Sequence, residues 1–281
     1  MLEVREVGRL LLEAPSQPGR PAHLAAASGL VAEGGRLYVV ADDEVGLAIF
    51  DDPARPGRLK PFESSDLPLD HDERKAAKPD LEALARLPGG ALLALGSGAT
   101  ERRERGWTWR AGSATELSLT GLYRRLRKHV AELNIEGAAV AGDRLWLAQR
   151  GNGAEGENVL VELDLARGLT PEAILSLVPY ELGDAGGGPL TFSDLAPLPD
   201  GTLVFCAVAE DSGSTYHDGP CVGAGVGVLD PATHRVTAFE RLALPYKIEG
   251  VTPAPEGGLL LVADGDDVEQ PAPLLHAPMP D

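Results

Sequence analysis

Five segments of the chain follow one pattern: an apolar run, a turn containing Gly or Asp, and a second apolar run. They are "SGLVAEGGRLYVVAD" from Ser28, "EALARLPGGALLALG" from Glu82, "EGAAVAGDRLWLAQR" from Glu136, "SDLAPLPDGTLVFCA" from Ser193 and "EGVTPAPEGGLLLVAD" from Glu249. Successive leading residues lie 54 to 57 residues apart, and the step from Glu249 through the end of the chain and round to Ser28 is 60. The period therefore closes on itself. Self-similarity at a fixed period constrains a fold more than any local signal, because each unit is one supersecondary element that must stack on its neighbours.

Each unit reads as a β-hairpin. Third and fourth strands follow it in several units, most clearly in "GVGVLDPATHRVTAFERL", and in "NVLVELDL" and "EAILSLV" of the third unit. Four short strands repeated every roughly 40–60 residues describe a propeller blade. The expectation is an all-β, five-bladed β-propeller with four-stranded blades, a single domain over residues 1–281. Blades start near 28, 82, 136, 193 and 249. The last unit runs short at "PAPLLHAPMPD", and the N-terminal "EVREVGRLLLEA" is a spare strand, so residues 1–20 are expected to complete the fifth blade and close the ring. A β-sandwich would not explain the regular spacing. One stretch stands apart: "GLYRRLRKHVAEL", residues 121–133, fits either a short amphipathic helix or an outer strand with a basic edge. Residues 102–128 hold eight of the 25 basic side chains, which read as a solvated face or as an anion-attracting rim.

Composition fits this picture and narrows function. Hydrophobic residues make up 43% of the chain but aromatics only 5%, so Ala, Leu and Val must fill the core, while 34 Gly and 23 Pro supply tight turns. The formal charge of −18 argues against a general nucleic-acid binder, which needs a basic face for phosphates. No apolar stretch reaches the length of about 18 residues expected of a membrane span, and "MLEVREVGRLLLEAPSQ" lacks a secretory apolar core. A cytoplasmic protein with no membrane partner is expected. Cys206 and Cys221 are expected to be free thiols, although a hairpin between them would let them pair. The six histidines (His23, His71, His129, His217, His234, His276) show no ligand spacing, and no Ser-His-Asp arrangement can be assembled.

In a propeller the first strand of each blade lines the central channel, so the five leaders form a ring at one height: Ser28, Glu82, Glu136, Ser193 and Glu249. Three carboxylates converging on a narrow channel repel one another and lose hydration. An axial cation relieves both. An oxygen-only set favours a hard ion, and a five-membered ring with room for water suits Ca²⁺, which takes 6–8 oxygens in flexible geometry, better than octahedral Mg²⁺. The alternative is that the glutamates accept hydrogen bonds from channel amides with no metal.

The order Ser, Glu, Glu, Ser, Glu, with "SGLVAEGGRLY", "FSD" and "YKIEG" around its members, resembles the calcium-activated nucleotidases (animal apyrases). That resemblance implies a five-bladed propeller with one channel Ca²⁺ and hydrolysis of nucleoside diphosphates, and it carries over only the five ring positions. The "EG" leaders also resemble phytase-like esterase and gluconolactonase-type propellers, whose channel metal is held by acids. The chain departs from the nucleotidases at Glu44, where Asp42 and Asp43 are followed in that family by an arginine, and at "NIEGAAV" in the third unit.

Loops between second and third strands open at one end of the channel. They supply Asp42, Asp43, Ser97, Arg102, Arg103, Gln149, Arg150, Asn152, Glu210, Asp211 and Asp264, and Lys78 and Lys247 precede two ring glutamates. Arg102, Arg103, Lys78 and Lys247 are candidate binders of a small anionic substrate. Arg150, at the end of the hairpin above Glu136, is the candidate for offsetting charge in a transition state. Asp43 and Asp264 are candidate general bases. Two functions compete: a calcium-dependent hydrolase of a phosphorylated or otherwise anionic small molecule, and a non-catalytic binding or interaction module, in which the metal only fastens the blades and the face recognises a partner. Nothing in the sequence addresses oligomeric state.

Overall fold

The computed structural model describes residues 1–64, 66–154, 156–210, 219–244, 246–265 and 267–281. Asp211 and His217 lie outside the described residues. The chain forms five four-stranded antiparallel sheets arranged as propeller blades. Blade 1 comprises Ala27–Glu33, Arg36–Ala41, Gly46–Phe50 and Arg58–Pro61; blade 2 comprises Leu81–Arg86, Leu92–Gly96, Arg105–Arg110 and Ser113–Ser118. Blade 3 is Ile135–Ala141, Arg144–Gln149, Asn158–Asp164 and Ile174–Tyr180, and blade 4 is Thr191–Pro197, Leu203–Glu210, Cys221–Asp230 and Arg235–Arg241. Blade 5 takes Lys247–Pro253, Leu259–Asp264 and Pro273–Ala277 from the C-terminal end, and its outer strand, Arg5–Arg9, from the N-terminal end. This closes the ring as the short last unit predicts, with a shorter strand than residues 1–20 offered.

The core is divided among the five seams between neighbouring blades. Each of the five hydrophobic clusters draws on two adjacent blades: Val40, Leu47, Leu84 and Trp107 join blades 1 and 2, and Leu30, Val39, Val262 and Leu274 join blades 5 and 1. Both faces of a blade are thus buried, which is why the inner strands read as continuous apolar runs rather than as an alternation. Few aromatics are needed because the seams are narrow and filled by Ala, Val and Leu.

Two short helices, α1 (His71–Ala77) and α2 (Thr120–Leu126), lie between blades. The second resolves the ambiguity of residues 121–133 in favour of a helix: Leu122, Tyr123 and Leu126 pack into the seam of blades 2 and 3, and the Tyr123 hydroxyl donates to Gly96 O at 2.7 Å. Its basic neighbours are engaged locally, Arg127 with Glu104 and Arg105 with Glu63 and Glu116. Cys206 pairs in register with Val226 and Cys221 with Glu210, four ladder steps apart, and both thiols are free. Among the described residues no helix is long and apolar enough to cross a membrane.

Candidate functional site

All five leaders sit at a β-bulge. The register between first and second strands slips between Ala27 and Leu30, Leu81 and Ala83, Ile135 and Gly137, Phe192 and Asp194, and Ile248 and Gly250. In blades 2–5 the residue skipped is Glu82, Glu136, Ser193 or Glu249, and in blade 1 Ser28 and Gly29 together lie opposite Val40. A bulge leaves one residue out of the ladder and re-aims its side chain. Here, repeated five times, it lets a polar group face the axis while the rest of the strand stays in the apolar seams. The position after the leader explains the "EG" and "SG" dipeptides. A Cβ on Gly29, Gly137 or Gly250 would lie 2.5 Å from Leu84 N, 2.7 Å from Leu195 N and 2.2 Å from Ser28 O, all on the next blade. In blade 4 the slot holds Asp194, whose carboxylate instead accepts from Val251 N of blade 5 at 2.8 Å.

The ring lines a cavity of about 40 Å³ bounded by Ser28, Glu82, Glu136 and Glu249, with Asp42, Asp80, Asp264, Asn134, Asn152 and five basic side chains. Ser193 is fully buried and does not line it, and neither its Oγ nor Glu249 Oε2 has a hydrogen-bond partner among the described residues. The residues two places before the leaders form a second tier that the sequence reading used only at Lys247: Asp80, Asn134, Thr191 and Lys247. Asn134 Nδ2 donates to Glu136 Oε1 at 2.6 Å, and Thr191 Oγ1 accepts from Arg150 Nε at 3.3 Å.

The ring is electrostatically divided. In the half formed by blades 3–5, Arg150 is 3% exposed and engages Glu136 at 3.5 Å, Glu249 at 3.5 Å and Glu210 at 2.9 Å. Lys247 lies 3.4 Å from Glu210, 3.8 Å from Glu249 and 3.5 Å from Asp264. In the half formed by blades 1 and 2, Lys78 pairs with Asp42 and, at 3.0 Å, with Asp80, which also binds Arg103 at 2.6 Å and Ser97 Oγ at 2.6 Å. Asp80 holds a left-handed backbone conformation (φ 58°). This is uncommon outside glycine, although Asp tolerates it better than most residues, and such conformations cluster at functional sites.

Burial dominates the ionisation of this cluster. It pushes Glu136 up to about 7 against the attraction of Arg150, and Asp42 up to about 7 against Lys78. Glu82 rises far above the usual range through burial and then through Glu136, Asp80 and Asp42. Glu249 rises through burial, opposed by Arg150 and Lys247. Burial opposes the charge on Lys78, yet Asp42, Asp80 and Glu82 hold it well above its ordinary value. Among the described residues seven axial carboxylates (Asp42, Asp80, Glu82, Glu136, Glu210, Glu249, Asp264) face five cations (Lys75, Lys78, Arg103, Arg150, Lys247), which leaves a formal charge of −2.

Carboxylate oxygens of Asp42, Asp80 and Glu82 lie within 4.8 Å of one another. Oxygens on opposite sides of a Ca²⁺ at 2.3–2.6 Å are about 5 Å apart, so one ion reaches all three. Of the expected five-membered ligand set, only Glu82 belongs to this group. Glu136 and Glu249 face Arg150, while Asp42 and Asp80, not assigned as ligands from the sequence, complete it. The signal for Asp80 was an acid two residues before a leader, in "KPDLEAL".

A second cavity of about 220 Å³ adjoins the first, sharing Asp42, Lys75, Lys78 and Asp264 with it. It is further lined by Arg20, Asp43, His71, Arg74, Asp267 and Val268. Asp43 lies here and pairs with Arg20, so it is not at the axial cavity. Asp264 faces both cavities. Arg103 and Lys78 line the axial cavity as counter-ions, whereas Arg102 is exposed and lines neither cavity.

These features define the class: a five-bladed propeller whose axis carries a buried, bulge-mounted acid cluster. Residues 23–279 match the model of a family of unknown function, DUF6929, and the chain belongs to that family. Among solved structures it is similar to a hypothetical protein from Leishmania major (13% identity, TM-score 0.56, covering 98% of this chain and 90% of that one). It is also similar to MPT-4, a mannose phosphorylase from Leishmania mexicana solved with a phosphate ion (13% identity, TM-score 0.55, 98% and 88% covered). A putative gluconolactonase matches at 12% identity and a TM-score of 0.47, with 98% and 92% covered. At these identities the likenesses to the two Leishmania proteins establish the fold alone. No curated protein matches the chain.

Proposed function

We propose that the chain is a calcium-binding propeller that hydrolyses a small anionic molecule at the channel mouth, with the ion held by Asp42, Asp80 and Glu82. The observation that carries this reading is the convergence of those three carboxylates beside a cavity too small for anything but an ion and its water. The formal charge of −2 around the axis supports it. When bound, the ion supplies Lewis acidity to a phosphoryl or acyl oxygen and to coordinated water. The chain's own residues do the rest. Lys78 and Arg103 hold Asp80 and Asp42 in place. Asp264, facing both cavities and 3.5 Å from Lys247, is placed to accept a proton from attacking water. Arg150 stays with the ring glutamates and keeps them apart from the reacting group.

The adjoining cavity, at about 220 Å³, is below the roughly 300–1,000 Å³ of sites for drug-sized ligands. It suits a compact substrate better than a nucleotide. A second reading is favoured by the extent of internal pairing: Lys78, Arg103, Arg150 and Lys247 already fasten the acids, so the metal would only tie blades 1 and 2 together. A panel of phosphomonoesters, phosphoanhydrides, carboxylate esters and lactones, with and without Ca²⁺, separates the two. Activity that needs Ca²⁺ and is lost in Glu82→Gln supports hydrolysis, and a flat panel from protein that binds Ca²⁺ supports the fastening role.

A further inference from the structure

Arg74, on α1, lines the second cavity without an ion-pair partner among the described residues, although Glu44, Asp43 and Asp42 attract it from beyond contact. It is 4% exposed, and its Nη1 donates to Asp43 O at 2.6 Å. Its Nε and Nη2 have no acceptor among the described residues, although both atoms are buried. These two nitrogens form one edge of the guanidinium and present parallel N–H donors, the geometry that matches a carboxylate or a phosphate bidentately. Buried donors are nearly always satisfied, and a charged one left alone is more costly than a neutral one. The nearby acids do not fill the gap: Asp43 and Glu44 pair with Arg20, and Asp42 with Lys78.

We propose that the 220 Å³ cavity is an anion-recognition subsite in which Arg74, by a small turn of its side chain, brings its buried Nε–Nη2 edge onto the cavity and clamps the carboxylate or phosphate group of a small ligand. The ligand's other end then faces Asp42 and Asp264, which this cavity shares with the axis. In this way the subsite gives the proposed hydrolase its preference for anionic molecules. The link to catalysis rests on that reading, but binding at Arg74 does not, because none of its donors touches Asp42, Asp80 or Glu82.

The test uses the full chain in chelator, so that calcium plays no part, titrated with inorganic phosphate and, separately, with acetate. The Arg74 Nε–H resonance is followed by NMR and affinity is measured by calorimetry. Saturable binding of either anion that moves the Arg74 signal is expected, and which anion binds more tightly identifies the group recognised. Arg74→Lys keeps the charge but loses the fork, and is expected to weaken binding at least tenfold. Arg102→Met, outside both cavities, is expected to leave it unchanged. The proposal is overturned if neither anion shifts the wild-type Arg74 resonance, or if Arg74→Lys binds as the wild type does. Because the wild-type resonance is read directly, a variant that fails to fold does not remove the test. Calcium-dependent turnover with no anion effect at Arg74 overturns this subsite alone.

Discussion

Replacing Arg150 with methionine isolates the electrostatics of the axis, because methionine keeps much of the volume and none of the charge. Three buried carboxylates lose a partner: Glu136 keeps the hydrogen bond from Asn134, whereas Glu210 and Glu249 keep Lys247 at 3.4 and 3.8 Å. Removing one member of a buried pair typically costs about 3–5 kcal/mol, because the other charge is left uncompensated. In a domain of this size each kcal/mol lowers Tm by about 2–4 °C, so Arg150→Met should melt roughly 6–20 °C below the wild type at pH 8 in chelator. The loss depends on pH. Glu136 already has a folded-state pKa of about 7, above its unfolded value. Removing Arg150, which opposes that rise, raises it further, so the folded variant binds more protons than the unfolded chain through the neutral range. Its deficit grows as pH rises and shrinks toward pH 5, where the carboxylates take up protons. Differential scanning fluorimetry at pH 5, 6.5 and 8 reads this directly. A Tm change below about 2 °C, or a larger one that is the same at all three pH values, would refute the counter-ion role.

The remaining predictions concern the same ring. In chelator, wild-type stability should fall as pH rises from about 4.5 through 7, because burial raises the folded pKa of Asp42 and Glu136. Each contributes on the order of 3 kcal/mol by linkage, and added Ca²⁺ should flatten the fall. A melting temperature that does not decline over that window contradicts it. Burial pushes the Asp194 carboxyl far up even though its oxygen accepts from Val251 N, so Asp194→Asn, which keeps an acceptor for that amide, is expected to change stability by less than about 1 kcal/mol in urea unfolding; a loss above about 3 kcal/mol shows that a charge is needed there. Gly250→Ala places a Cβ 2.2 Å from Ser28 O, against backbone that cannot swing away, and should destabilise by about 2–3 kcal/mol. Gly142→Ala, at a hairpin tip open to solvent but with φ of 62°, is expected to lose only about 1 kcal/mol from its backbone strain. Equal losses in the two variants would show that close approach between blades is not the reason for the "EG" leaders.

The five leaders were legible because repetition made them so. A glutamate between Ile135 and Gly137 says little alone, but the same feature at Glu82, Glu136 and Glu249, in frame, implies a common axis. The hairpins and the closing strand at Arg5–Arg9 followed from the same alignment. The bulges were not legible, since a register slip leaves no trace in residue type. The glycines after three of the leaders were visible, but their reason, contact with the next blade, exists only in three dimensions. Division of the ring was also hidden. Arg150 and Glu210 come from different blades, as do Lys78 and Asp42, and no spacing along the chain pairs them. Asp80 could have been found by extending the alignment two residues upstream, where Asn134, Thr191 and Lys247 share its position. Arg74 carries no sequence signal: it is one arginine on a polar seven-residue helix, and only its burial and its empty fork distinguish it.

The central claim is that the acids of blades 1 and 2 form a cation site while those of blades 3–5 are held by Arg150 and Lys247. Crystals grown with Ca²⁺, and a parallel set with Mn²⁺ for anomalous scattering, locate any ion directly. The account predicts one ion within about 2.3–2.6 Å of oxygens from Asp42, Asp80 and Glu82 in the calcium crystals, with the Arg150 contacts to Glu136 and Glu249 intact. No axial ion in either set, or an ion bound by Glu136 and Glu249 with Arg150 displaced, would contradict it.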